Sequence, residues 1–345
     1  MNMDEKLHFA DLSDQLLDWY ATAARELPWR IGPGQRANGV TPDPYRVWLA
    51  EIMLQQTTVP HATRYYLTFT KRWPKIEDLA AAPDEDVMAA WAGLGYYARA
   101  RNLLKCAREV AARGHWPDTI AGLQKLPGIG PYTAGAVAAL AFGRQAAAVD
   151  GNVDRVFARL MALKGDWKDE KARLKSVVEG LVPADRPAEF AEALMDLGAT
   201  ICTPKSPNCL VCPLRNLCAA REEGAPERYP IKPAKQAKPT RYGHVFVLMG
   251  KEGSVLTERR PDKGLLGGML GLPTTPWTGE FGAPDFPAHC EWMERGEVRH
   301  VFTHFALTLK VWRADEPKRK FDTSLTQAAD GLPSVFVKAL KLARA

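Results

Sequence analysis

Apolar residues recur three and four positions apart through most of the first 220 residues. The stretches DQLLDWYATAARE, PYRVWLAEIMLQQTT, DEDVMAAWAGLG, ARARNLLKCAREVAARG and AEFAEALMDLGATIC each carry alanine and leucine at helical spacing. Glycine and proline separate them. No alternating βα pattern appears, so residues 11–220 read as an all-α domain. After Cys218 the pattern changes. EEGAPERYPIKPAKQAKPTRYG has no apolar periodicity and reads as an extended linker carrying Arg228, Lys232, Lys235, Lys238 and Arg241. Those cations suit a solvated tether as well as a phosphate-contacting strap. Beyond Gly243 the period becomes two: HVFVLMG and SVLTERR flank a turn-like KEG, and RHVFTHFALTLKVW alternates strictly from Val301 to Trp312. That run predicts a strand or hairpin arm, PSVFVKALKLARA predicts a closing helix, and the second domain is therefore α+β.

Composition adds limits. A chain of 345 residues holds two domains, and 46% hydrophobic with 25% charged residues is ordinary for a globular protein. No run of about 18 apolar residues predicts a membrane span. The N-terminal MNMDEKLHFADLSDQLLDWY lacks a basic-then-apolar leader, so a cytoplasmic protein is expected. Four of the six cysteines stand in CTPKSPNCLVCPLRNLC, spaced C-x6-C-x2-C-x5-C. In a reducing compartment such clustering points to metal rather than disulfides, with zinc and iron–sulfur both open. A net charge of +6 permits a polyanionic partner without specifying one.

Four further segments carry candidate chemistry. In LPGIGPYTAGAVAALAFG, Gly128 and Gly130 permit a tight turn and Pro131 suits a first helical position, which together make an anion-binding helix start or an ordinary helix–helix turn. In AVDGNVDRVFARL, Asp150 and Asn152 stand where helix caps are common. In VWLAEIMLQQTT, Glu51 lies among Trp48, Leu49, Ile52, Met53 and Leu54, with Gln55 one turn on. Local pattern favours an exposed stripe for it over a desolvated carboxyl. In GLGYYARARNL, tyrosines interleave with Arg99 and Arg101, which suits base stacking beside phosphates as well as core packing.

Together these segments resemble the MutY family of adenine DNA glycosylases, within the helix-hairpin-helix superfamily that includes endonuclease III. The resemblance runs from LPWR at 27–30 to FTHF at 302–305. It implies an all-α helix-hairpin-helix glycosylase domain over 1–221 with an iron–sulfur loop at 202–218, a linker over 222–242, and an α+β Nudix-like domain over 243–345. Cys202, Cys209, Cys212 and Cys218 would hold a four-iron, four-sulfur (4Fe-4S) cluster, leaving Cys106 and Cys290 as incidental thiols. Glu51 would protonate the adenine, Asp150 would face the sugar, and Tyr132 and Asn152 would orient them. Arg30, Gln55, Gln56, Tyr96, Arg99, Gly128 and Gly130 would meet DNA, with Gln55 and Tyr96 as wedges. Thr303 and His304 would read 8-oxoguanine.

Where endonuclease III has a Schiff-base lysine this sequence has Tyr132, and Asp154 stands where some members carry lysine. The resemblance thus implies base removal without strand cleavage. RRPDKGLLGGMLGLPT lacks the acidic run of Nudix hydrolases, so pyrophosphatase activity is not expected. Thr303 replaces a frequent serine and Leu266 a common tryptophan. The implied partner is double-stranded DNA with adenine opposite 8-oxoguanine or guanine, bound by a monomer of the bacterial cytoplasm at the nucleoid. A thymine-mismatch glycosylase or endonuclease III would lack Glu51 and the second domain, and a silent damage-binding protein would need neither carboxyl.

Overall fold

Proline sets many of the helix starts. Pro33, Pro44, Pro131 and Pro187 each occupy a first helical position, where the missing N–H costs nothing and φ is already helical. The computed structural model describes residue 9 and residues 11–231, 237–250, 253–261, 264–315, 325–326 and 332–345. Lys232 and Lys235 of the expected linker, Lys251 and Glu252 of the KEG turn, and Asp262 and Lys263 of the Nudix-like segment lie outside these. Two units separate: Met1–Ala82 with Asn102–Ala234, and Pro83–Arg101 with Lys235–Ala345.

The first unit is helical. Its elements are α1 (Leu12–Ala23), α2 (Pro33–Ala37), α3 (Pro44–Leu54), α4 (Val59–Arg72) and α5 (Ile76–Ala81), then α8 (Ile120–Leu123), α9 (Pro131–Phe142), α10 (Gly151–Leu160), α11 (Trp167–Leu181), α12 (Pro187–Thr200) and α13 (Ala219–Glu222). Between α5 and α8 run α6 (Asp84–Trp91) and α7 (Ala98–Arg113). Leu12, Leu16, Val153, Phe157, Leu174, Phe190 and Leu194 build one core across α1, α10, α11 and α12. Tyr229, within the expected linker, is buried against that core. Helix α9 is apolar on all sides and α12 is buried from Pro187 to Gly198, as befits central helices.

The second unit holds a five-stranded mixed sheet ordered β5-β6-β1-β2-β7 among the described residues. Its strands are β1 (Thr240–Met249), β2 (Val255–Leu256), β5 (Met293–Val301), β6 (Ala306–Asp315) and β7 (Leu325–Thr326), with β3 (Glu258–Arg259) and β4 (Leu270–Gly271) forming a separate pair. Strands β1 and β6 run parallel, from Thr240 opposite Ala306 to Met249 opposite Asp315. Val245, Val247, Leu307, Leu309 and Val311 alternate onto the face covered by α14 (Ser334–Arg344), where they meet Val335, Phe336 and Leu340. The strict alternation from Val301 to Trp312 is not one strand. β5 ends at Val301, which is exposed, and Phe302 donates its N–H to the Phe305 carbonyl at 2.8 Å to turn the chain into β6. Period two continues through this tight reversal, so the pattern hid the turn.

Candidate active site

A cleft of about 500 Å³ opens in the helical unit, and Glu51, Gln55, Gln56, Tyr132, Asp150 and Asn152 all line it. Five elements or loops bring them there. Helix α3 carries Glu51 in its last turn and stops at Leu54, because Gln55 leaves helical geometry (φ −58°, ψ 116°). Gln56 follows at φ +55°, a left-handed conformation that costs a non-glycine residue roughly 1–2 kcal/mol. Gln55 donates from Nε2 to the Thr133 hydroxyl at 3.2 Å.

The local pattern favoured exposure for Glu51. Instead, only 6% of it is exposed, because α9 packs beside α3 and covers the face it shares with Gln55. Burial pushes its carboxyl up to about 7, with Asp150 and Glu192 adding to the rise. A hydrogen bond from Tyr132 and the charge of Arg30 oppose it. Tyr132, at the second position of α9, is itself held well above its usual range by burial and by these carboxyls, so it remains a donor.

Asp150 has a different setting. It caps α10, with Oδ1 accepting the N–H groups of Asn152 and Val153 at 2.8 Å each. Its Oδ2 accepts the Asn152 side-chain amide at 2.9 Å. All three of these groups donate, so both oxygens of the Asp150 carboxyl act as acceptors. Asn152 is fixed in turn, since its Oδ1 accepts from Arg155 at 2.8 Å and its Cβ lies where a side chain on Gly198 would stand. Capping and a place in the cleft are thus one geometry at Asp150.

Behind the carboxyls lies an ionic lattice that the sequence did not disclose. Arg30, which the resemblance placed against DNA, is largely buried. Its Nη1 donates to Asp196 at 2.7 Å and its Nε stands 3.8 Å from Glu192. Arg25 donates to both oxygens of Asp196, and Tyr20 and Arg36 reach Glu192 at 2.9 and 3.3 Å. Glu192 and Asp196 are one turn apart on α12 and both are buried. The one available hint was three acids, Glu189, Glu192 and Asp196, inside an otherwise largely apolar helix.

The glycines of the hairpin divide. Gly128 adopts φ +76°, and a Cβ there would stand 2.7 Å from that of Asn102, so only glycine fits. Gly130 is extended with open space about it. Both precede α9 and neither lines the cleft.

The four cysteines of 202–218 follow α12 directly. All are partly buried, and Cys212 lies close enough to the other three to feel their charge. Among the described residues no three such donors close on a single metal ion. Arg159 is 1% exposed and donates to Cys202 Sγ at 3.3 Å and to the Thr203 and Pro204 carbonyls at 2.7 and 3.0 Å. Arg155 donates to the Cys202 carbonyl at 2.8 Å and the Gly198 carbonyl at 2.7 Å. Two arginines of α10 therefore tie the loop to the helix that Asp150 caps. Four thiols beside a buried guanidinium that pairs with thiol and carbonyls suit an anionic thiolate–iron assembly.

The second unit holds the remaining candidates. Tyr96 adopts φ +49°, is half exposed, and its hydroxyl lies 3.0 Å from that of Thr303. Arg99 turns back on its own loop, donating to the Leu94 and Gly95 carbonyls at 3.1 and 3.3 Å beneath the Trp91 and Tyr96 rings. Burial lowers its guanidinium to about 10. Thr303 and His304 are exposed in the β5–β6 turn.

Residues 49–180 match the HhH-GPD superfamily of base excision DNA repair proteins, 202–218 the iron–sulfur binding domain of endonuclease III, and 244–342 the NUDIX domain. Adenine DNA glycosylases from human and mouse are each 34% identical, over 86% and 88% of this chain. The chain spans 65% of the human protein and 72% of the mouse protein. One from Buchnera aphidicola subsp. Acyrthosiphon pisum is 32% identical, covering 86% of this chain and 84% of its own. Among solved structures, a thermostable thymine-DNA glycosylase superposes with TM-score 0.55 at 31% identity, covering 63% of this chain and 98% of its own. Endonuclease III from a non-covalent DNA complex gives TM-score 0.52 at 25% identity, covering 65% and 99%. The helical fold, the Nudix-like second domain and the iron–sulfur cofactor of this chain follow from these matches. Among the described residues no helix is long and apolar enough to cross a membrane.

Proposed function

The chain belongs to the adenine DNA glycosylases, and from that premise we propose that it removes adenine paired with 8-oxoguanine or guanine in double-stranded DNA. One observation carries the reading: two carboxyls share a cleft, one desolvated and the other ringed by hydrogen-bond donors. Glu51, held near 7 by burial, keeps a proton to give at neutral pH, while Asp150 sits among donors suited to its anion. With the adenine flipped into the cleft, Glu51 protonates the imidazole-ring nitrogen. The bond from the sugar then breaks with its electron pair passing to the base, and Asp150 stabilises the oxocarbenium-like sugar or bonds to it transiently until water adds. Tyr132 and Asn152 hold the two carboxyls in register.

Among the described residues no lysine lines the cleft, which supports base removal without strand cleavage. Gln55 and Tyr96 act as wedges, with Gln56 beside the first. Arg30 acts from within the cleft wall, Arg99 shapes the Tyr96 loop, and the turn at Gly128 and Gly130 presents backbone N–H groups to phosphate. Thr303 and His304 read the base opposite the adenine. Cys202, Cys209, Cys212 and Cys218 would hold the four-iron, four-sulfur cluster, which would brace the loop and take no part in excision. The protein works as a monomer among bacterial nucleoid DNA.

Single-turnover excision on duplexes carrying adenine opposite 8-oxoguanine or guanine tests this. Glu51→Gln and Asp150→Asn should each abolish excision, and retained activity in either refutes the two-carboxyl mechanism. Borohydride trapping of a protein–DNA adduct at the excision rate would refute base removal alone.

A further inference from the structure

The reading of Glu51 as acid leaves Asp196 unaccounted for. It has no exposed surface and does not line the cleft, yet it accepts three hydrogen bonds. The Arg25 backbone N–H reaches Oδ2 at 2.9 Å, Arg25 Nε reaches Oδ1 at 2.6 Å, and Arg30 Nη1 reaches the same oxygen at 2.7 Å. These two arginines bracket Glu26, Leu27, Pro28 and Trp29, of which Glu26 is exposed, and both line the cleft with Leu27 and Trp29. One buried carboxylate therefore clamps both ends of the loop that forms one wall.

We propose that Asp196 is a positioning residue for excision: it fixes Arg25 and Arg30 in the cleft wall and offsets part of their charge, which would otherwise draw more strongly on the Glu51 proton. The claim rests on Glu51 being the acid. Around that carboxyl stand Tyr132, Asp150, Arg30 and Glu192, and Tyr20 and Arg36 complete the lattice at Glu192. Arg25, Arg30 and Arg36 thus share two buried carboxyls, Asp196 and Glu192. Removing the charge of Asp196 takes from Arg25 and Arg30 the counter-charge they share, which favours the ionised form of Glu51. Glu192 is the more distant partner of Arg30, at 3.8 Å, and is already shared with Arg36.

The pH profile of single-turnover excision reads this directly, because the rate falls as Glu51 loses its proton. On the full cluster-loaded chain, Asp196→Asn should move that falling limb to lower pH by about one unit, the lower end of what an unopposed charge does to a nearby carboxyl. Arg25→Gln leaves Asp196 to Arg30 alone and should move the limb to higher pH. Asp196→Glu should return it toward wild type. A loss of packing alone lowers rates without shifting limbs in opposite directions, so unmoved limbs in both Asp196→Asn and Arg25→Gln overturn the proposal. If Asp196→Asn does not fold, the upward shift in Arg25→Gln decides alone, and its absence overturns the proposal. Glu51→Gln separates the two claims. Excision retained there refutes Glu51 as acid, whereas excision lost there with unmoved limbs elsewhere refutes only the role of Asp196.

Discussion

Replacing Glu51 with glutamine should make the protein inactive and more stable, with a gain that depends on pH. Burial moves the Glu51 carboxyl from its ordinary 4.5 to about 7. At about 1.4 kcal/mol for each pH unit, the ionised side chain costs the fold up to about 3 kcal/mol. The sign follows from the raised value. Below about 4.5 the carboxyl is protonated whether the chain is folded or not, so it adds no pH-dependent cost. Between 4.5 and 7 the unfolded chain releases its proton while the folded chain keeps it, and stability falls. Above 7 the cost is complete. Glutamine carries no such cost, and its carbonyl can still accept from Tyr132. Thermal unfolding of both proteins at pH 5 and pH 8 measures the difference. Glu51→Gln should melt about 6–12 °C above wild type at pH 8, and the gap should shrink to about a quarter of that at pH 5. A gap of equal size at both pH values would refute the view that a desolvated, titrating carboxyl sits in the cleft.

Four other outcomes follow from the same geometry. Gly198→Ala places a methyl 2.6 Å from the Asn152 Cβ and should slow excision by about 10–100-fold in single-turnover assays, as Asn152 is driven off Asp150. Gly128→Ala combines φ +76° with a 2.7 Å clash and should cost roughly 1–3 kcal/mol in urea unfolding, with weaker DNA binding. Cys212→Ser should lose iron and visible absorbance in elemental analysis and spectroscopy, since a hydroxyl replaces one of four thiolates. Thr303→Val removes the 3.0 Å contact with the Tyr96 hydroxyl and should lower the preference for 8-oxoguanine over guanine in competition assays; an unchanged preference places that reading elsewhere.

Legibility in the sequence followed the range of the interactions. The helix start at Pro131 was local and could be read, as could the capping position of Asp150 and the cysteine spacing. The burial of Glu51 was not, because what covers it is α9, about eighty residues later in the chain. The lattice of Arg25, Arg30 and Arg36 with Glu192 and Asp196 spans more than 150 residues of sequence, and no periodicity reports such a pairing. The β5–β6 turn escaped because it keeps the period of the strands on either side. What stayed hidden was the set of long-range partners that decide which polar groups are desolvated.

Helix α12 shows what that means for tolerance to change. A surface helix offers evolution a stripe of free positions, but α12 is buried on its whole circumference from Pro187 to Gly198. Its successive turns hold Arg36 through Glu192, Arg25 and Arg30 through Asp196, and Asn152 through the bare Cα of Gly198. The chain then leaves it for Cys202. A substitution scan should therefore find a continuous band of intolerance here in place of an amphipathic rhythm, and charge reversals at Glu192 and Asp196 should rank with the loss of apolar bulk.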